Sequence, residues 1–295
     1  MMYDYLHNMK CTLCSSHMEK FLFKNGYWIY RCPNCLFAQT DLAKNYITFV
    51  KDHYSKGYFL GDPTRSAYAN YELDKPVIVR NMRKFLKRIM RQKEHGTLLD
   101  VGCAYGYFVE LAMSAGFDAY GFDPSTYAVS QAKKLVGDKR IAEGTISEVS
   151  YKNKLFDIIT LFDVFEHLQD PVNDLKKLRA LLKPDGIIVI ATGNTQSIAA
   201  KIFGRRWTFY IPPQHLSFFT KTNMKTFLYQ VGLAPIEWFG IGKWLSLDYI
   251  LHLAKTTGES MIASFVHRVL GKSVISRLHV YVPMMDNMVV IARKQ

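Results

Sequence analysis

From Thr97 onward, short apolar runs alternate strictly with amphipathic helical patterns, and that alternation admits few folds. "TLLDV" reads as a strand and "YGYFVELAMSAG" as a helix; "DAYGFD" and "STYAVSQAKKLV" repeat the pair. A short strand near Arg140–Ala142 precedes "FDIITLFD", the helix "PVNDLKKLRALLK" and the strand "GIIVIAT". "LAPIEWFG" and "NMVVIARK" add two further strands. Parallel strands need crossover connections, and crossover helices cover both faces of a sheet. The pattern predicts an α/β domain built on a mostly parallel, doubly wound sheet. At 295 residues the chain has room for this domain and a smaller module.

Four of the five cysteines supply that module. "CTLC" (Cys11, Cys14) and "CPNC" (Cys32, Cys35) are separated by 17 residues, and the intervening "HMEKFLFKNGYWIYR" alternates like a hairpin about Asn25-Gly26. Each Cys-x-x-Cys turn aims two sulfurs at one point, so residues 1–40 read as a zinc ribbon. Two disulfides or a redox pair fit a cytosolic chain less well. Four thiolates complete a tetrahedral shell and leave no place for substrate water, so the metal is structural. His17 is a bystander in this reading.

Residues 41–75 are rich in Tyr, Gly and Asp without a clear period and read as an ordered covering segment. From Pro76 to Lys93 the spacing is helical with seven positive charges. Such a helix is either a solvated face packed through its Val, Ile, Phe and Leu, or a contact for membrane or nucleic acid. The net charge of +13 divides as +8 over residues 1–95, −3 over 96–192 and +8 over 193–295. Those flanks could attract nucleic acid, anionic headgroups or a phosphorylated substrate, or simply keep the protein soluble. No apolar run reaches the roughly 18 residues of a membrane-spanning helix. "MMYDYLHNMK" carries no signal-peptide core, so the cytoplasm is the expected location, with peripheral membrane contact an option.

The first strand-to-helix turn, "LLDVGCAYGYF", sets Asp100-x-Gly102-x-x-x-Gly106 where backbone amides can approach a ligand. It matches neither the dinucleotide fingerprint nor the phosphate loop. Asp123, at the end of the second strand, stands where an acid can accept from both hydroxyls of a ribose, or cap the next helix ahead of Ser125. "EGTI" (Glu143–Ile146) follows the third strand, and "LFDVFEHLQDP" brings Asp163, Glu166 and His167 to the carboxyl edge after the fourth. In order and spacing these motifs resemble the class I S-adenosylmethionine-dependent methyltransferases over roughly residues 76–240. The resemblance implies a Rossmann-like seven-stranded sheet with its last strand antiparallel. It implies that the turn of Asp100, Gly102, Cys103, Ala104, Gly106 and Tyr107 receives the methionine portion of S-adenosylmethionine. Asp123 and Pro124 would then hold the ribose, with Thr145, Ile146, Asp163 and Val164 bordering the adenine. Cys103 is expected to be a small packing residue. With its ribbon, the chain also resembles zinc-bearing methyltransferases of sugar and natural-product pathways. The C-methyltransferases among them carry a further domain with no counterpart in these residues, so methyl transfer, not carbon methylation of a nucleotide sugar, is the expectation.

After the fifth strand, residues 193–220 form an active-site loop ending in "YIPPQHLSFFT". Pro212-Pro213 stiffens the approach to His215. An acceptor about to be methylated must lose a proton, a task for an imidazole. His215 is the candidate base, with Tyr210 orienting it or the acceptor; His167 is the other candidate, and a purely structural role for His215 is the third option. Residues 240–285 interrupt the last two strands as a helical insertion edged by Lys255, His267, Arg268, Lys272 and Arg277. It reads as a substrate lid, a dimer contact or an interfacial anchor, and with Lys201, Arg205, Arg206 and Trp207 could receive a lipid-linked acceptor. The expected function is methyl transfer to a small-molecule or glycan acceptor, sugar-, lipid- or polyketide-derived. RNA methylation and a non-enzymatic binding module are the alternatives. The first lacks an Asn/Asp-Pro-Pro-Tyr/Phe tetrapeptide, "FDVF" standing in its place, and the second must explain intact Asp100, Gly102, Gly106 and Asp123.

Overall fold

The computed structural model describes residues 9–42, 44–62, 70–151, 154–247, 249–250, 278–283 and 286–295. The N-terminal module is a hairpin of β1 (Glu19–Lys24) and β2 (Tyr27–Arg31). Asn25 and Gly26 join them with φ of 50° and 82°, the pair of left-handed residues whose twist matches the flanking strands. β3 (Ala38–Thr40) pairs antiparallel with β2. The covering segment holds α1 (Tyr46–His53), capped by the Asn45 side chain, and α2 (Lys56–Phe59).

The basic helix is α3 (Lys75–Met90), which buries Val77, Phe85, Leu86 and Ile89. Three of its cations have partners within the molecule. The Arg80 guanidinium lies 3.4 Å from the Trp244 ring centre, Lys84 Nζ donates to the Gly242 carbonyl at 2.6 Å, and Arg88 pairs with Glu237 at 2.8 Å. This is the packed-face reading of the two that the sequence allows.

The alternation then runs β4 (Thr97–Val101), α4 (Tyr107–Ser114), β5 (Asp118–Asp123), α5 (Thr126–Val136), β6 (Ile141–Glu143), β7 (Phe156–Phe162), α6 (Pro171–Ala180) and β8 (Leu182–Gly193). α7 (Ile198–Phe203), β9 (Ser217–Phe218), α8 (Lys221–Gln230), β10 (Leu233–Phe239), β11 (Lys243–Ser246), β12 (His279–Val282) and β13 (Asn287–Lys294) complete it. The main sheet has seven strands in the order β10-β13-β8-β7-β4-β5-β6. β4 to β8 pair in parallel, and β13 runs antiparallel to both β8 and β10. β4 lies between β5 and β7, so the winding reverses at its carboxyl end, where open α/β sheets bind ligands.

Two pairings add to the expected plan. β9, cut from the long loop after β8, adds a fourth strand to the ribbon sheet by pairing with β3. β11 and β12 form a two-stranded ladder at the two ends of residues 240–285, the expected helical insertion. Residues 251–277, with the helical patterns expected there and Lys255, His267, Arg268, Lys272 and Arg277, lie outside the described residues. One hydrophobic core passes from Cys11, Cys32 and Phe37 of the ribbon through Phe219 and Phe227 to Leu161 and Ile190 of the main sheet. The ribbon is welded to the α/β layer.

Candidate active site

A cavity of about 260 Å³ opens at the carboxyl ends of β4, β5 and β7. Its inner wall contains Asp100, Gly102, Cys103, Ala104, Asp123, Pro124, Thr145, Ile146, Asp163 and Val164, ten of the twelve residues assigned to the cofactor from sequence. Gly106 and Tyr107 are not in the lining. Gly106 begins α4 with φ 76°, and Tyr107 is buried, its ring stacked on Tyr71.

The turn after β4 owes its shape to three left-handed residues, Gly102 (φ 68°), Ala104 (φ 47°) and Gly106 (φ 76°). A side chain on Gly102 would put its Cβ 2.5 Å from Val164 Cγ2. Four of the turn's amides are engaged within the protein. Gly102 and Cys103 N–H donate to the Phe122 carbonyl, Ala104 N–H to Asp123 Oδ2 and Gly106 N–H to the Cys103 carbonyl. What remains is a close, Cβ-free approach beside carboxylates, a surface suited to a cation and not to a phosphate. Cys103 is buried, with its sulfur against the face of Gly121.

Asp100 and Asp123 carry the electrostatics. Burial pushes the Asp100 carboxyl up to about 7, against a 2.6 Å hydrogen bond from Thr160. Burial lifts Asp123 to about 6, against donors from Ser125 and Ala104 at 2.9 Å. Ser125, not Asp123, caps α5, accepting from Ala128. Asp163, at φ 54°, receives Lys243 Nζ at 2.9 and 3.1 Å. Among the described lining residues, Asp74, Asp100, Asp123 and Asp163 face one lysine or arginine, Lys243. S-Adenosylmethionine carries an ammonium and a sulfonium, so its charge matches this lining.

The outer wall is aromatic, with Tyr46, Tyr54, Tyr58 and Tyr71 from the covering segment and Trp244 and Tyr249 from the insertion. Sequence reasoning did not assign these residues to the site. Clustered tyrosines in "YSKGYF" were the available signal, but without a period they did not reveal which way they face.

His167 lines the cavity; the structure places His215 behind it, the ring centroids 4.9 Å apart, and His215 is not a lining residue. His215 Nδ1 donates to the Phe209 carbonyl at 2.7 Å, and His167 Nδ1 to the Gln214 carbonyl at 2.7 Å with the Tyr54 hydroxyl 3.0 Å away. Both bonds leave Nε2 as the basic nitrogen. Burial holds both imidazoles below the ordinary histidine value, His215 far below, so both are neutral near pH 7. Tyr210 also lies away from the lining, its ring packed on Trp207 and Phe218. The Pro212-Pro213 peptide bond is cis.

In the ribbon, Sγ atoms lie 3.5 Å (Cys11–Cys35), 3.4 Å (Cys14–Cys32) and 3.7 Å (Cys14–Cys35) apart. Disulfide sulfurs sit at about 2.05 Å, which excludes the disulfide alternative. A tetrahedron with zinc–sulfur bonds of about 2.3 Å has edges of about 3.8 Å, and the four sulfurs fit it. Burial, against hydrogen bonds that lower it, pushes the Cys11 thiol up to about 11, so a four-thiolate state calls for a cation's charge. The core helix α8 grips both knuckles, Asn223 Nδ2 donating to the Cys35 carbonyl at 3.3 Å and Gln230 Nε2 to the Leu13 carbonyl at 2.8 Å.

Residues 73–237 match a family model described as "Methyltransferase domain". The chain belongs to this methyltransferase family. Relatives of this methyltransferase include the ubiquinone biosynthesis O-methyltransferases of Rhodopseudomonas palustris strain BisB5, 30% identical over 154 residues, and of Bradyrhizobium diazoefficiens, 28% identical over 171. Those matches take in 49% and 51% of this chain, and 60% and 67% of the relatives' own lengths. Among solved structures, Synechocystis PCC 6803 magnesium protoporphyrin IX methyltransferase superposes with TM-score 0.54 at 12% identity, over 84% of this chain and 99% of its own. Burkholderia thailandensis 1,6-didemethyltoxoflavin-N1-methyltransferase superposes with TM-score 0.53 at 15% identity, over 94% and 99%. At such identities these neighbours establish the fold.

Proposed function

We propose that this methyltransferase moves the methyl group of S-adenosylmethionine to a hydroxyl of a small, uncharged, ring-bearing acceptor. One observation carries the reading: a single cavity joins the carboxylate-lined turn after β4 to His167 and to an aromatic wall. The relatives named as O-methyltransferases favour oxygen as the methylated atom. The acidic lining disfavours phosphorylated acceptors such as nucleotide sugars, and favours sugar-, lipid- or polyketide-derived molecules without a phosphate.

Bound S-adenosylmethionine supplies an electrophilic sulfonium methyl. Asp123 accepts from its ribose hydroxyls, Asp100 and the Gly102–Ala104 backbone take the methionine end, and Thr145, Ile146 and Val164 border the adenine. Tyr54, Tyr58 and Trp244 sandwich the acceptor ring and keep water out. His167 is the group nearest the acceptor that can receive its proton, at Nε2, and His215 supports it from behind. Tyr210 acts at a distance, shaping the loop through Trp207 and Phe218. Zinc in the ribbon is structural.

The test is calorimetric titration with S-adenosylmethionine and its demethylated product, followed by product detection on a panel of hydroxylated aromatic acceptors. Binding that disappears in Asp123→Ala supports the cofactor assignment; absence of binding to the wild type overturns it.

A lipid-held acceptor has separate support. On α7, Ile198, Ile202 and Phe203 are 77%, 73% and 51% exposed, beside exposed Lys201, Arg205 and Arg206. Apolar bulk rimmed by cations suits an anionic bilayer surface. No helix among the described residues is long and apolar enough to cross a membrane.

A further inference from the structure

Lys243 lies beyond residues 73–237, the stretch that matches the family model, on the first strand of the ladder formed by β11 and β12. The backbone is clamped on both sides of it. Ile241 N–H donates to Asn287 Oδ1 at 3.1 Å, and the Gly242 carbonyl accepts from Lys84. Asn81 bonds both main-chain groups of Trp244, the carbonyl at 2.7 Å and the N–H at 2.9 Å. From this held strand the Lys243 side chain, 35% exposed, enters the cavity and meets Asp163. Among the described residues its hydrogen bonds go to that carboxylate alone, and an ammonium with three donors has at least one to spare. Burial opposes its charge, Asp163 outweighs burial, and the group is held above the ordinary lysine value. It is a cation, not a base.

The amino-acid end of S-adenosylmethionine carries a carboxylate as well as an ammonium. Main-chain amides or a cation could receive that carboxylate. Four amides of the turn after β4 are taken: Gly102 and Cys103 donate to the Phe122 carbonyl, Ala104 to Asp123 and Gly106 to the Cys103 carbonyl. Tyr105, the fifth residue of the turn, does not line the cavity. Asp74, Asp100, Asp123 and Asp163 oppose a second carboxylate, and the tyrosine hydroxyls bring no charge to offset it. Lys243 is the group in the described lining with the matching sign.

We propose that Lys243 binds the carboxylate of the cofactor, so that the insertion supplies one anchor of a site otherwise built by the sheet. This rests on the methyl-transfer reading of the cavity and adds a contact to it. Asp163 acts as the positioning residue, aiming the ammonium from below. The sulfonium lies between the ribose and the amino-acid group of the cofactor. Asp123 at one end and Lys243 at the other would therefore set the direction in which the methyl group points, the alignment that an in-line attack needs.

The test is calorimetric titration of the full-length protein with S-adenosylhomocysteine and with its carboxamide, which differ in charge at that one group. Wild type should bind the acid about ten- to hundredfold more tightly, the range of a charge-assisted hydrogen bond. Lys243→Met should lose that factor for the acid and little for the amide, so the preference disappears. Lys243→Arg keeps the charge and should keep most of the preference. A wild type that binds both compounds equally overturns the proposal whatever the variants do. So does a Lys243→Met protein that keeps the preference or weakens both compounds alike, the mark of a merely structural lysine. Should Lys243→Met fail to fold, the wild-type comparison and Lys243→Arg decide. Binding without preference would sink this contact alone; a wild type that binds neither compound would sink the methyl-transfer reading as well.

Discussion

Asp123 makes three kinds of contact from one carboxylate: it braces Ala104, supports the start of α5 at Ser125, and faces the cavity. Its raised value gives a pH signature. Above about 6 the group is ionised and able to accept; as pH falls through that value, protonation removes the acceptor. S-Adenosylmethionine affinity measured by calorimetry should fall as pH drops through about 7, where Asp100 also protonates, and more steeply below about 6. Asp123→Asn should flatten that profile and weaken binding throughout. Gly102 is a second sensitive position. Alanine there is strained by about 1–2 kcal/mol for its left-handed backbone and meets Val164. Gly102→Ala should lower Tm by several degrees in a thermal scan and lose most of the stabilisation that added cofactor gives the wild type.

At the scale of elements, β9 is the hinge between ribbon and site. Thr40 holds the loop just ahead of this strand, its N–H donating to the Leu216 carbonyl and its hydroxyl to the His215 carbonyl, each at 2.8 Å. Gln39 Nε2 reaches the Gln169 carbonyl, and Asn25 Nδ2 the Pro212 carbonyl. Stripping the ribbon metal should therefore raise amide hydrogen exchange in residues 212–220 while β4 and β7 stay protected. Thr40→Val should do the same more weakly, with metal content unchanged; equal exchange across all segments would show that the ribbon is uncoupled from the site. The sequence announced the parts with local chemistry. The spacing of the paired cysteines limits what they can do, and the glycine turn after β4 and Asp123 took their places from the order of motifs that the methyltransferase resemblance rests on. It did not announce β9, because two residues carry no period, nor the aromatic wall, because orientation in a segment without regular alternation is set by what packs across it. For the same reason loop order gave His215 the place that His167 holds at the cavity: which layer of a loop faces inward is a tertiary fact.

For the molecule as a whole, the uneven charge acquires a geometry. Part of the basic excess of residues 1–95 is engaged within the molecule by α3, through Trp244, Gly242 and Glu237. Lys201, Arg205 and Arg206 instead remain at the surface next to exposed Ile198, Ile202 and Phe203. Sedimentation with vesicles should show binding to anionic bilayers, weaker binding to zwitterionic ones, and loss at high salt. Ile202→Glu should reduce the bound fraction several-fold without moving Tm; unchanged binding would remove α7 from the interface. The pairing of β3 with β9 also bears on how the protein is made. Ala38 meets a partner, Phe218, that a ribosome delivers about 180 residues later. At about 5–20 residues per second, the nascent ribbon waits roughly ten to thirty seconds with one strand edge open. An unpaired edge of that duration is a template for the wrong neighbour, so slowing translation between codons 40 and 220 should lower the soluble yield of this chain.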